Sequence, residues 1–200
     1  MLVHDKAYIR KETIKLRDHQ SQMERRERSQ LLTQRLFNIE CVRRATEILL
    51  YADFGSEVMT GQMFRNAIDM GKKVYYPKVE GEAIAYYRVE NLDELNVGYR
   101  GIQEPFMPKA AAKGNFLSDS VIIVPGSAFS REGYRVGYGK GFYDRYLANH
   151  PELNRIGVCY DVQLLWQCPH DEYDVKMDRI VTEFEELYFE REYQDTLPSP

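Results

Sequence analysis

An α/β fold with a mostly parallel sheet flanked by helices is the architecture this sequence predicts, as a three-layer domain with a long helical segment at its N-terminus. Three observations carry that expectation. Strand-like and helix-like runs alternate from about residue 47 to 182. The run Val121-Ile122-Ile123-Val124 is apolar at every position, as suits a strand covered on both faces in the middle of a parallel sheet. Residues 5 to 45 lack glycine and proline, are rich in Lys, Arg, Glu and Gln, and place Leu32, Leu36 and Ile39 on one helical face.

The elements follow in order. Glu47-Ile48-Leu49-Leu50-Tyr51 reads as a buried strand, and residues 58 to 70 as a helix stopped by Gly71. Lys73 to Tyr76 is a strand closed by Pro77, and Ala83 to Val89 alternates like another. A turn-rich stretch around Gly98 to Pro105 precedes the apolar strand 121–124. Phe142 to Asn149 is helical, Arg155 to Tyr160 is a strand, and Asp178 to Thr182 is expected to be the last strand of the sheet. Residues 1–195 are taken as one domain and 196–200 as a frayed tail.

Composition narrows the classes of function. The chain has 200 residues, 44% of them hydrophobic and 29% charged, with a net charge of −4, so overall charge offers no case for a nucleic-acid partner. Cys41, Cys159 and Cys168 are scattered and odd in number, which suggests neither a disulfide framework nor a zinc site. No run approaches membrane-spanning length and the first residues carry no apolar leader, so a cytoplasmic protein is expected, as a monomer or weak homodimer. The arginines of residues 25 to 44 are interspersed with Glu24, Glu27 and Glu40, which favours a solvated amphipathic face over a polyanion site.

The segment from Val124 to Leu147 holds the chemistry. It places Gly126, Gly133, Gly137, Gly139 and Gly141 among Arg131, Arg135, Lys140 and Arg145, directly after the apolar strand. Glycines let backbone N–H groups approach a ligand, and neighbouring cations neutralise it, which is the chemistry of a phosphate cradle. A flexible connection would be built from Ser and other polar residues instead of cations and aromatics. The standard motifs do not fit. A P-loop needs glycine at Tyr134 and Ser or Thr at Gly141, and a dinucleotide fingerprint needs glycine at Phe142. Topology agrees with a ligand site, since the loop sits beyond the carboxyl end of a strand and before a helix N-terminus.

The same block, from Val124-Pro125-Gly126 through Gly133-x-Arg135-Val136-Gly137-Tyr138-Gly139-Lys140-Gly141-Phe142-Tyr143-Asp144-Arg145, resembles the 5-formyltetrahydrofolate cyclo-ligase (methenyltetrahydrofolate synthetase) family. Four shorter blocks fall in the family's order. They are Lys6-x-x-Ile9-Arg10, Glu57-Val58-Met59-Thr60, Gly98-x-x-Gly101-Ile102-x-Glu104-Pro105, and a closing stretch with Pro169, Asp174, Asp178 and Thr182-Glu183. Ser130, Met59 and Phe142 depart from the residues usual in the family.

The resemblance implies ATP-dependent closure of 5-formyltetrahydrofolate to 5,10-methenyltetrahydrofolate, with release of ADP and phosphate. It implies ATP held by Lys6, Arg10, Arg135, Val136, Gly137, Tyr138, Gly139, Lys140, Gly141, Phe142 and Tyr143, with Lys140 and Arg145 serving catalysis. Glu57, Tyr138, Gly139, Lys140, Gly141 and Phe142 would take the folate, and Asp144 and Asp178 would hold Mg2+. Several residues keep a plainer alternative. Lys6 and Arg10 read by themselves as a solvated helix face. Arg145 reads equally as an ion-pair partner of Glu132, Glu57 as a helix cap, and the aromatics after the loop as core. A paralogue that binds folate or nucleotide without turnover, and an α/β enzyme of another kind, are the competing functions.

Overall fold

A computed structural model describes residues 5–106, 116–117 and 119–191. The N-terminal helical region is three helices: α1 Lys6–Asp18, α2 Gln22–Asn38 and α3 Glu40–Arg44. The break after α1 is written in Ser21 and Glu24, which form a reciprocal capping box that starts α2 afresh. Beyond them lie β1 Glu47–Leu49, α4 Gly61–Asp69, β2 Lys73–Glu80 and β3 Ala83–Arg88. Gly71, at φ +72°, ends the α4 region as expected. Pro77 does not close its strand: β1 pairs with β2 only as far as Tyr75, so no ladder on that side is broken beyond it.

A short pair follows, β4 Leu95–Val97 with β5 Gln103–Pro105, then β6 Val121–Val124, β7 Ala128–Ser130 and β8 Arg135–Val136. The chain ends with α5 Phe142–Ala148, β9 Asn154–Val158, β10 Leu164–Leu165, β11 Arg179–Val181 and β12 Glu186–Tyr188. The main sheet runs β12-β11-β9-β6-β1-β2-β3, parallel throughout its middle and antiparallel at both edges. β11 is therefore not the last strand, because β12 folds back beside it. The expected tail 196–200 lies outside the described residues.

Alternation along β6 explains the layers. Val121 and Ile123 join one core with Leu32, Leu36, Met63 and Val74, while Ile122 and Val124 join the other with Phe129, Leu147 and Ile180. Both faces of the sheet are thus covered, as the unbroken apolar run predicts. A small sheet, β10-β7-β8, carries the loop that follows β6. Its Phe129 is pressed against β9 where a Cβ at Gly157 would sit 2.3 Å from the ring, so only glycine lets the small sheet seat there. Among the described residues no helix is long and apolar enough to cross a membrane.

Candidate active site

The carboxyl edge of the parallel strands opens into a cavity of about 910 Å³, lined by the loop from Gly137 to Arg145, by α1, by the turn after β1 and by residues 171–175. Three glycines of the loop are each backed by an arginine. A Cβ on Gly137, Gly139 or Gly141 would lie 2.6, 3.4 or 2.9 Å from a guanidinium nitrogen of Arg135, Arg10 or Arg145, respectively. Gly139 and Gly141 also have φ of +90° and +63°. The glycines therefore do two things: they turn the chain, and they bring cations against its backbone.

Each arginine is fixed differently. Arg10 Nε donates to the Gly137 carbonyl at 2.8 Å, which clips α1 to the loop. Arg145 donates to the carbonyls of Lys140 at 2.9 Å and Glu82 at 2.6 Å, so it braces the loop and makes no pair with Glu132. Arg135 is buried; its Nη2 lies 2.9 Å from Asp144 Oδ1, out of line for a hydrogen bond, and its Nε lacks a partner among the described residues. A buried guanidinium with unpaired donors beside a cavity has the chemistry to receive an anion. Lys140 is exposed along the same wall.

Lys6 pairs with Asp171 at 3.3 Å and, at closer range, with Asp174. Burial works against its charge, but these two carboxylates outweigh it and raise its pKa. Tyr51, Phe54, Tyr138 and Phe142 also line the cavity, and Tyr99 meets Phe142 edge-on at 6.0 Å. Glu57 lines the same cavity. It accepts from the Phe54 N–H at 3.0 Å and from the Tyr138 hydroxyl at closer range. Burial nonetheless raises its pKa above the usual carboxylate range, against the pull of both hydrogen bonds.

Most residues expected in the site meet at this cavity, but two do not. Val136 is fully buried in the small sheet, where its carbonyl accepts from the N–H and hydroxyl of Ser127 at 2.8 and 2.7 Å. Asp178 precedes β11 at the amino edge of the sheet, the edge away from the loop. Its carboxylate accepts from the Arg155 N–H at 2.7 Å and from the Arg155 and Arg191 side chains at 2.8 Å. That ion cluster occupies the carboxylate expected to bind metal.

Asp174, four residues earlier, is among the carboxylates that the fold does bring to the cavity, and it stands next to Val175, whose N–H points to Asp144 Oδ1 at 3.4 Å. Phe54 and Tyr99 also line the cavity, and Arg17 stands behind it with its Nη1 on the Tyr138 hydroxyl at 3.1 Å. Arg17 had a readable signal, since positions 6, 10, 13 and 17 share one helical face. Glu183, from the closing motif, is structural: it accepts from the Asp161 N–H at 2.9 Å and from Arg28 at 2.8 Å.

A glycine cradle backed by arginines, sharing one cavity with aromatic side chains, defines an α/β protein suited to hold a phosphate-bearing anion beside a flat ligand. The chain belongs to the 5-formyltetrahydrofolate cyclo-ligase family, whose model matches residues 3–183. A probable 5-formyltetrahydrofolate cyclo-ligase of Caenorhabditis elegans is 27% identical over 183 residues, covering 85% of this chain and 88% of that protein. Its counterpart in Schizosaccharomyces pombe is 30% identical, covering 70% and 76%. The fold superposes on the NMR structure of Aquifex aeolicus 5,10-methenyltetrahydrofolate synthetase with a TM-score of 0.79, 32% identity, and coverage of 96% of this chain and 98% of that one.

Proposed function

We propose that this protein is an ATP-dependent 5-formyltetrahydrofolate cyclo-ligase that forms 5,10-methenyltetrahydrofolate, ADP and phosphate. The observation that carries this reading is the shared cavity. It is lined both by a cradle of glycines and arginines suited to a triphosphate and by aromatic rings with a buried carboxylate acceptor. The site draws on residues from Lys6 to Val175, which supports treating 1–195 as one cyclo-ligase domain.

The chemistry asks for positioning and charge neutralisation more than for a nucleophile of the protein's own. The formyl oxygen of the substrate attacks the γ-phosphorus, and the bond to ADP breaks. N10, losing its proton, then closes on the activated formyl carbon, and the phosphorylated oxygen departs as phosphate. Arg135 and Lys140 offset the charge on the transferring group, while Arg10 and Arg145 keep the loop amides aimed at it. Glu57 accepts from ring N–H donors of the pterin, and Tyr138 and Phe142 bound its faces. Magnesium supplies further charge neutralisation when bound with the nucleotide. Asp144 would hold it, with Asp174 as the second carboxylate in place of Asp178. An ion of this kind takes most of its ligands from phosphate and water.

The test is direct. Protein, 5-formyltetrahydrofolate and Mg-ATP are mixed, and the methenyl chromophore is followed with and without ATP. ATP-dependent growth of that absorbance is expected; none at high enzyme concentration refutes the reading.

A further inference from the structure

We infer that Arg17 is a positioning residue that sets the folate half of the site through Tyr138; this rests on the cyclo-ligase reading above. Arg17 lies in the last turn of α1 and is only 4% exposed. Among the described residues no carboxylate forms a salt bridge with it. Its Nε donates to the Ser56 hydroxyl at 2.8 Å and its Nη1 to the Tyr138 hydroxyl at 3.1 Å. Each hydroxyl then passes on its own proton, Ser56 to Asp18 and Tyr138 to Glu57. The buried cation thus reaches two carboxylates only through hydroxyls.

An apolar side chain would fill this place without the cost of desolvating a guanidinium. What the charge secures is direction. With Arg17 as donor to the phenol oxygen, the phenol proton is committed to Glu57, and one oxygen of that carboxylate is fixed in turn. Tyr138 remains 48% exposed and lines the cavity. Its hydroxyl end is therefore pinned from behind while its ring stays open to stack on a flat ligand.

The placement on α1 separates two jobs. Lys6 and Arg10 reach Asp174 and the Gly137 carbonyl, while Arg17 reaches the phenol oxygen of Tyr138. Loss of Arg17 should therefore loosen folate binding and leave nucleotide binding nearly intact.

Steady-state kinetics on the full chain test this, with thermal melting to confirm folding. Arg17→Ala is expected to raise the KM for 5-formyltetrahydrofolate about tenfold, as for a lost charged hydrogen bond, with the KM for ATP within about twofold. In a Tyr138→Phe background the same substitution should add no more than about twofold, because its effect travels through that hydroxyl. Arg17→Lys keeps the charge but not the fork to both hydroxyls, and should raise the folate KM by about threefold. Equal rises in both KM values, or a tenfold effect that persists in Tyr138→Phe, would overturn the role. If Arg17→Ala does not fold, Arg17→Lys is decisive, and an unchanged folate KM refutes the inference. An inactive wild-type protein refutes the cyclo-ligase reading itself; an active one with insensitive variants refutes only the part given to Arg17.

Discussion

At the amino edge of the main sheet, Asp178 receives both Arg155 and Arg191, and Glu47 receives Lys73, Tyr75 and Ser120. At the carboxyl edge, Arg135 keeps an unsatisfied Nε and meets Asp144 without a hydrogen bond, beside a cavity of about 910 Å³. Both edges bury charged groups next to strands. They differ in whether those charges are already satisfied. Closed ion clusters at the amino edge hold strands in register, while free donors at the carboxyl edge leave binding energy for a ligand.

The comparison breaks if the two edges respond alike to mutation. Arg135→Ala and Lys140→Ala are each expected to lower kcat/KM by about a thousandfold, the scale for removing preorganised charge from phosphoryl transfer, with little change in Tm. Asp178→Asn should do the reverse. Its turnover stays within about threefold of wild type, while stability falls by about 2 kcal/mol because two arginines lose their shared partner. Burial pushes the Asp178 pKa up, but hydrogen bonds from Arg191 and Arg155 outweigh it and hold the group below its ordinary value. A depressed carboxylate stabilises the fold above its unfolded pKa and loses that contribution as pH falls through the folded one. The stability gap between wild type and Asp178→Asn should therefore be full at neutral pH and close in strong acid, as denaturant melts across pH would read. Lost turnover in a well-folded Asp178→Asn would return that residue to the metal site.

The same contrast explains what was legible in the sequence. The unbroken apolar run of β6, Gly71 and the glycine loop each announce their structure, because each is a local rule about backbone or burial. The place of Asp178 is a matter of topology. A residue that begins a parallel strand lies at the edge opposite the loops that end them, whereas Asp174 sits within a long connection that crosses the cavity. Pro77 misled in a similar way, since the freedom of its strand depends on where β1 stops. The pairing of arginines with individual glycines was not readable at all. It depends on α1 being laid across a loop some 127 positions away, with Arg10 on the Gly137 carbonyl. Arg17 was hidden for the same reason, though its place on the face of Lys6 and Arg10 was a usable hint.

The smallest expected effect concerns Glu57, a carboxylate on the cavity wall whose burial outweighs the groups that stabilise its charge. Burial pushes its pKa up, and Asp53 from the turn after β1 adds to that; the hydrogen bonds from Tyr138 and the Phe54 N–H and the charge of Arg17 on α1 pull it down, and burial prevails. Pterin N–H donors need the ionised form as acceptor. Protonation on the acid side should therefore weaken folate binding at a higher pH than an ordinary glutamate would allow, while ATP binding keeps its own profile. Glu57→Gln retains one acceptor oxygen and cannot ionise, so at neutral pH its folate KM should rise only several-fold. Its acid limb in kcat/KM for folate should vanish, leaving the profile flat where the wild type falls. The measurement is kcat/KM for 5-formyltetrahydrofolate from mildly acidic to neutral pH at saturating Mg-ATP, for both proteins. A limb that persists unchanged in Glu57→Gln would assign the titration to another group and remove Glu57 from pterin recognition.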